Sequence, residues 1–190
     1  MRIIGGDHKG RRLAAPKSSA VRPTSDRLRE TVFNVLAHGY DDPVPGARVL
    51  DLFAGTGALG LEALSRGAAF AILVDDGTEA RGLMRANVET LGVAGVTRIL
   101  RRNATHMGPV MPLEPSTLVF CDPPYGKGLA ERALISAAEG GWLAPDAIVV
   151  VEEAAGAGFT VPGGFAMLDR RDYGETEVIF MAWGSEPPKA

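Results

Sequence analysis

The sequence predicts an α/β protein: a doubly wound, mostly parallel, seven-stranded sheet that ends in an antiparallel hairpin and is preceded by a small extension. Three observations predict it. From Ala47 onward, short apolar runs alternate with helical repeats, the rhythm of β-α-β units. The first strand, Arg48–Leu52, passes into a helix through Gly55-Thr56-Gly57-Ala58-Leu59-Gly60, a Gly-x-Gly-x-x-Gly turn. The tail, Phe165–Trp183, changes to two consecutive strand patterns around Gly174-Glu175. Together these describe a Rossmann-like architecture.

In chain order, Arg2-Ile3-Ile4 and Arg11-Arg12-Leu13 are expected to pair as a small hairpin across a glycine turn. Residues 15–23 read as a linker. Thr24 or Ser25 then caps a helix running to about His38, with Leu28, Val32, Val35 and Leu36 on one face and Arg27, Arg29 and Glu30 on the other. Residues 39–46 carry breakers. The expected elements that follow are strand Arg48–Leu52, helix Gly57–Arg66, strand Phe70–Val74, helix Gly77–Leu91 and strand Thr97–Leu100. A short helical turn at Ala104–Met107 comes next, then strand Leu118–Cys121, helix Leu129–Glu139 and strand Ala147–Glu152. The hairpin strands are Phe165–Tyr173 and Glu175–Trp183.

With 190 residues, 46% hydrophobic and 23% charged, the chain suits one globular domain. The division expected is a basic extension over 1–45, the sheet domain over 46–183 and a tail over 184–190. No apolar run is long enough to span a membrane, and the N-terminus lacks a signal-peptide core. A single cysteine fits a reducing compartment, so a cytoplasmic monomer is expected. His8, His38 and His106 share no ligand spacing, so no metal site is expected. Cys121 reads as a buried strand residue. The net charge of −3 conceals an asymmetry: residues 1–30 hold eight basic groups against three acidic ones. A basic segment on an acidic body points to a polyanion, phosphate first; a merely solvated arm is the other reading.

Two motifs carry chemistry. In the glycine-rich turn, Asp51 closes the strand where a pyrophosphate would otherwise sit. A carboxylate there repels phosphate and suits a ligand with ammonium and sulfonium centres, which is S-adenosylmethionine rather than NAD. A turn needed only for close helix–strand packing is the plainer alternative. Asp75, at the end of the next strand, is placed to accept from ribose hydroxyls, while Asp76 serves equally as a helix cap. Asn103 and Ala104 follow the third strand; they would bracket an adenine edge, or Asn103 would cap a helix. The second motif is Asp122-Pro123-Pro124-Tyr125 after the apolar run Leu118–Cys121. Two prolines remove two N–H donors and fix φ, leaving carbonyls to accept from a ligand. The Asp122 carboxylate and the Pro123 carbonyl would accept both N–H bonds of a planar amine. That favours a pyramidal nitrogen whose lone pair faces a methyl donor. Tyr125 would stack on an extruded base. Lys127, Arg170 and Arg171 would touch phosphate or stay solvated.

Arg2-Ile3-Ile4-Gly5-Gly6, Lys9–Leu13, Arg22-Pro23-Thr24-Ser25-Asp26-Arg27-Leu28-Arg29-Glu30, Phe53–Gly67 and Gly141-Trp142-Leu143 together resemble the RsmD family. These are class I S-adenosylmethionine-dependent methyltransferases acting on a guanine N2 of 16S rRNA in the small ribosomal subunit or its late precursor. The resemblance spans about residues 1–183. It implies donor contacts at Asp51, Phe53, Gly55, Gly57, Asp75, Asn103, Ala104 and Thr24. It implies a catalytic base-binding loop at Asp122, Pro123, Pro124 and Tyr125, with Asp122 also at the donor; the basic charge, in turn, predicts RNA contacts at Arg2, Lys9, Arg11, Arg12, Arg22 and Lys127. Many members carry Glu where this chain has Asp75, a shorter arm toward the ribose. Asp-Pro-Pro-Tyr alone leaves other acceptors open: adenine N6 in DNA, another RNA amine or a glutamine side chain. An NAD-dependent oxidoreductase is disfavoured by Asp51, and an RNA-binding assembly factor by the intact Asp51, Asp122 and Tyr125.

Overall fold

The computed structural model describes residues 1–16 and 25–184. Helix α1 (Asp26–Gly39) precedes the alternating region, and the Ser25 side chain caps it by accepting from the Leu28 N–H. There follow β1 (Arg48–Leu52), α2 (Ala58–Ser65), β2 (Phe70–Val74), α3 (Thr78–Leu91), β3 (Thr97–Leu100), β4 (Ser116–Cys121), α4 (Leu129–Glu139), β5 (Leu143–Ala154), β6 (Phe165–Tyr173) and β7 (Thr176–Trp183). The seven strands form one sheet in the order β3-β2-β1-β4-β5-β7-β6. Pairings from β3 to β5 are parallel, and β7 runs antiparallel to both β5 and β6. The predicted class is therefore the observed one. Strand order reverses between β1 and β4, the switch point at which such sheets open a crevice at their carboxyl ends.

Alternation along each strand divides the core in two. One face carries Val49, Leu73, Phe120, Val150 and Phe180 against α1, α2 and α3. The other carries Leu50, Ile72, Val119, Val151 and Ile179 against α4 and Trp142. Ile3 and Leu13 from the N-terminal segment belong to the first core. No helix among the described residues is long and apolar enough to cross a membrane.

The N-terminal segments pair as expected: Arg2 bridges Arg12 antiparallel, the Ile3 N–H donates to the Arg11 carbonyl and the Leu13 N–H to the Met1 carbonyl. Three expectations need correction. Strand β5 is longer than Ala147–Glu152: Leu143 pairs with Ser116 across a bulge, and Glu153 and Ala154 continue the ladder with β7. Residues 104–107 form no helix; Asn103 closes a local turn there instead. Arg29 is not on the exposed face of α1 but is fully buried, held by Asp26 and Glu62.

Candidate active site

The carboxyl ends of β1, β2, β4 and β5 border a cavity of about 700 Å³, within the range of small-molecule sites. Strand register determines what faces it. Asp51 pairs with Leu73 on β2 and Phe120 on β4. Two residues beyond Leu73 comes Asp75, two beyond Phe120 comes Asp122, and two beyond Val150 comes Glu152. A period of two thus sets four carboxylates on one face of the sheet, and all four lie on the cavity wall.

At the β1–β2 half, Asp51 is 1% exposed. Its Oδ2 accepts the Gly60 N–H at 2.9 Å, in the first turn of α2. Burial pushes its pKa up to about 7; the Gly60 N–H opposes that rise and nearby Asp75 adds to it. The chain leaves β1 through Phe53 at φ 60°, a conformation that is uncommon for a bulky residue. Asp75 does more than end a strand. Its Oδ2 accepts from the Gly55 N–H at 3.0 Å and its Oδ1 from the Gly77 N–H at 2.8 Å. One carboxylate therefore stitches the loop after β1 to the loop after β2. Glycine is required at position 60, where an added Cβ would lie 2.4 Å from Leu73. Gly57, at φ 79°, packs against Leu73 and Met84 and is not on the cavity wall, so at this position the plainer packing role applies.

At the β4–β5 half stand Asp122, Pro123, Pro124 and Tyr125, all on the cavity wall. The Tyr125 hydroxyl donates to Glu152 Oε1 and lies 3.4 Å from Thr176 Oγ1. Burial, then the bond to Glu152, raises the Tyr125 pKa. The Gly126 N–H donates to Glu153 Oε1 at 2.8 Å. The loop is thus pinned to β5 at two successive residues. Cys121 is buried inside β4, and burial with neighbouring carboxylates raises its pKa, which keeps it a neutral thiol.

The basic N-terminal segment lies on α2. Glu62, fully buried, accepts the N–H groups of Ile4 and Gly5 at 2.8 Å each and the Arg66 Nε at 2.8 Å. Ser65 donates its hydroxyl to the Gly5 carbonyl at 2.6 Å and accepts from the His8 N–H. The Arg29 guanidinium donates to the Arg2 carbonyl and to Asp26. Asn87, also fully buried, accepts from the Ala14 N–H at 2.6 Å and donates to the Thr56 carbonyl of the glycine-rich turn at 2.9 Å. Lys9, Arg11 and Arg12 remain exposed, and Arg2 lies 3.8 Å from Asp26.

Of the sequence-predicted residues, the cavity brings together Asp51, Phe53, Gly55, Asp75 and the Asp122–Tyr125 loop. It does not bring in Asn103 or Ala104. The Asn103 Oδ1 accepts from the Thr105 N–H and hydroxyl, and Ala104 is buried in the second core. Asp76 lines the cavity and does not cap α3, whose N-cap is Gly77 without a side-chain bond. Lys127 is exposed beside the loop. Arg170 and Arg171 are engaged by Glu177 and Asp169. Thr24 and Arg22 lie outside the described residues; Ser25 and Leu28, just beyond them, line the cavity. The residues missed from sequence are Glu79, Glu152 and Thr176 on the wall and Glu62 beneath the N-terminal segment. A signal for Glu152 existed: Ile148–Val151 followed by two acids repeats the pattern of Ala71–Val74 before Asp75-Asp76.

The family described as conserved hypothetical protein 95 matches residues 1–182. The chain is 42% identical over 168 residues to the ribosomal RNA small subunit methyltransferase D of Escherichia coli K12, covering 88% of this chain and 82% of that one. It is 31% identical over 176 residues to the protein of the same name from Haemophilus influenzae, covering 92% and 89%. The solved structure of Escherichia coli yhhF superposes with a TM-score of 0.82 at 37% identity, over 98% of this chain and 99% of that one. With a shared fold, an end-to-end family match and these identities, the chain belongs to the RsmD family.

Proposed function

We propose that this chain methylates the exocyclic N2 of a guanine in 16S rRNA, using S-adenosylmethionine, with a small ribosomal subunit or its late precursor as substrate. The observation that carries the reading is the juxtaposition, on one cavity, of a buried carboxylate under a glycine-rich turn and a rigid Asp-Pro-Pro-Tyr loop on the adjacent strand. The names of the relatives supply ribosomal RNA and methyl transfer; guanine N2 comes from the family resemblance.

The residues present fit such a donor. Asp51 is a buried acid with its pKa near neutrality, a group that an ammonium would ionise and pair with. Gly55 and Gly77 bring backbone close to the cavity without side chains. The donor, when bound, supplies an electrophilic methyl on a sulfonium. Asp51 would hold its ammonium end and Asp75, whose carboxylate also keeps the two loops in register, would stand toward its ribose hydroxyls. Across the cavity, Asp122 and the Pro123 carbonyl accept the two N–H bonds of the target amine, and Tyr125 lies against the base. Asp122 would stabilise the positive charge that develops on the amine nitrogen as it takes the methyl group. The surplus proton leaves to Asp122 or to water.

The test is transfer of labelled methyl to small subunits lacking the modification, to naked rRNA and to DNA, followed by nucleoside analysis. N2-methylguanine from the subunit is expected; methyladenine, or donor binding with no transfer to any RNA, overturns the reading. Asp122→Ala should abolish turnover, a drop of at least about 100-fold, and leave RNA affinity within a factor of about two, as its place is at the base rather than the phosphates.

A further inference from the structure

We infer that Glu152 is a specificity-determining residue, reading the N1–H of the target base and so admitting a purine with adjacent N1–H and N2–H donors. This rests on the guanine-N2 reading above and deepens it.

Three observations carry it. Strands β4 and β5 are parallel and in register up to Cys121 and Val151, so Asp122 and Glu152 are the next pair, with Cα rows about 4.8 Å apart and side chains on the same face. Both border the main cavity, and both border a second hollow of about 10 Å³ beneath it. Glu152 is 8% exposed, and its Oε1 accepts the Tyr125 hydroxyl. The residue that orients the stacking ring thus also contributes a carboxylate beside the amine-binding one.

The chemistry follows from the donor pattern of the bases. A carboxylate accepts several hydrogen bonds and donates none. On guanine's Watson–Crick edge, N1–H and N2–H are neighbouring donors, matched by two carboxylates side by side. On 2,6-diaminopurine the N2 amine is retained, but N1 is a lone pair. That lone pair would face the buried carboxylate of Glu152 with no proton between them. Sites built on a buried hydrogen bond reject analogues lacking the partner group far more strongly than apolar pockets do.

The test places guanine or 2,6-diaminopurine at the target position of a ligated 16S rRNA assembled into small subunits. The kcat/KM ratio is compared for wild type, Glu152→Gln and Tyr125→Phe. Wild type should prefer guanine by about 100-fold or more. Glu152→Gln, whose amide can donate to a bare N1, should lower that preference to below about 10-fold. Tyr125→Phe, which removes the hydroxyl bond but keeps Glu152, should keep the wild-type ratio. If Glu152→Gln retains the full preference, or Tyr125→Phe loses it equally, Glu152 merely holds Tyr125 and the inference is overturned. If wild type methylates neither base at N2, it is the proposed function that fails.

Discussion

At Asp51 a fold constraint and the proposed donor contact would act in opposition. Its folded pKa stands above the ordinary carboxylate value, mainly through burial. The stability associated with its neutral form is therefore complete below a pH of about 4 and is lost as pH rises through about 7. Without donor, thermal unfolding temperature should fall between about pH 4 and 7 more steeply for wild type than for Asp51→Asn. The donor's ammonium prefers the ionised form, so its affinity should rise over the same interval. Titration calorimetry in two buffers of different ionisation heat should register proton release just below neutral pH for wild type and none for Asp51→Asn, with about 7 as the governing pKa. An affinity independent of pH would remove Asp51 from the donor site. Glu152 and Arg29 illustrate the other side of residue-scale reading. Asp51 and Asp122 sit inside local patterns, so their place on the cavity wall was legible from sequence. Glu152 becomes part of the site only when β5 pairs with β4, and Arg29 looks solvent-facing until Glu62 arrives from α2.

Among the elements, α2 does the most to organise the molecule. Its first turn donates to Asp51, while Glu62 and Ser65 hold the N-terminal segment. Glu62→Ala would leave a fully buried Arg29 short of an anionic partner and two backbone N–H groups unanswered. Loss of one partner of a buried ion pair costs about 3–5 kcal/mol, so urea unfolding should show a loss of that order. Glu62→Gln, whose amide oxygen still accepts, should lose less. Equal loss in the two variants would mean that the charge, rather than the acceptor, is what matters. Element types from β1 to β4 followed from hydrophobic period because those strands are short, apolar and bounded by breakers, and the last two strands from two patterns around Gly174. The N-terminal segment did not read so clearly: its order comes from hydrogen bonds to a helix 57 to 60 residues further along the chain, which no local pattern records.

For the whole molecule, the charge distribution divides the labour. Carboxylates gather at the strand ends, and exposed Lys9, Arg11 and Arg12 project from the segment docked on α2. Phosphates would be repelled by the first and attracted by the second, so on the proposed function the segment would hold the RNA while a base enters the cavity. Replacing Arg11 and Arg12 with Glu should weaken RNA binding and flatten its salt dependence, by about 0.7 in slope for each single-strand phosphate no longer neutralised. Donor affinity should be unchanged; a loss confined to donor affinity would assign these residues elsewhere. The doubly wound sheet and its terminal hairpin were legible from the rhythm of the chain, because parallel β-α-β units admit few topologies, while the strand order came from the structure. The wall of the cavity was legible only in part, since half of it is made by register between strands distant in sequence.

Asn87 joins the Thr56 carbonyl to Ala14, the last stretch of the docked basic segment. One amide is thus shared by the turn that would meet the donor and the segment that would meet the nucleic acid. In the language of linkage, the two ligands are not independent: whatever factor the donor product S-adenosylhomocysteine applies to RNA affinity, RNA must apply to its affinity in return. Asn87→Ala should bring both factors toward one together, measured by paired binding titrations with and without the other ligand. If the donor and its product differ in that factor, methyl transfer would change the grip on the RNA through the same amide.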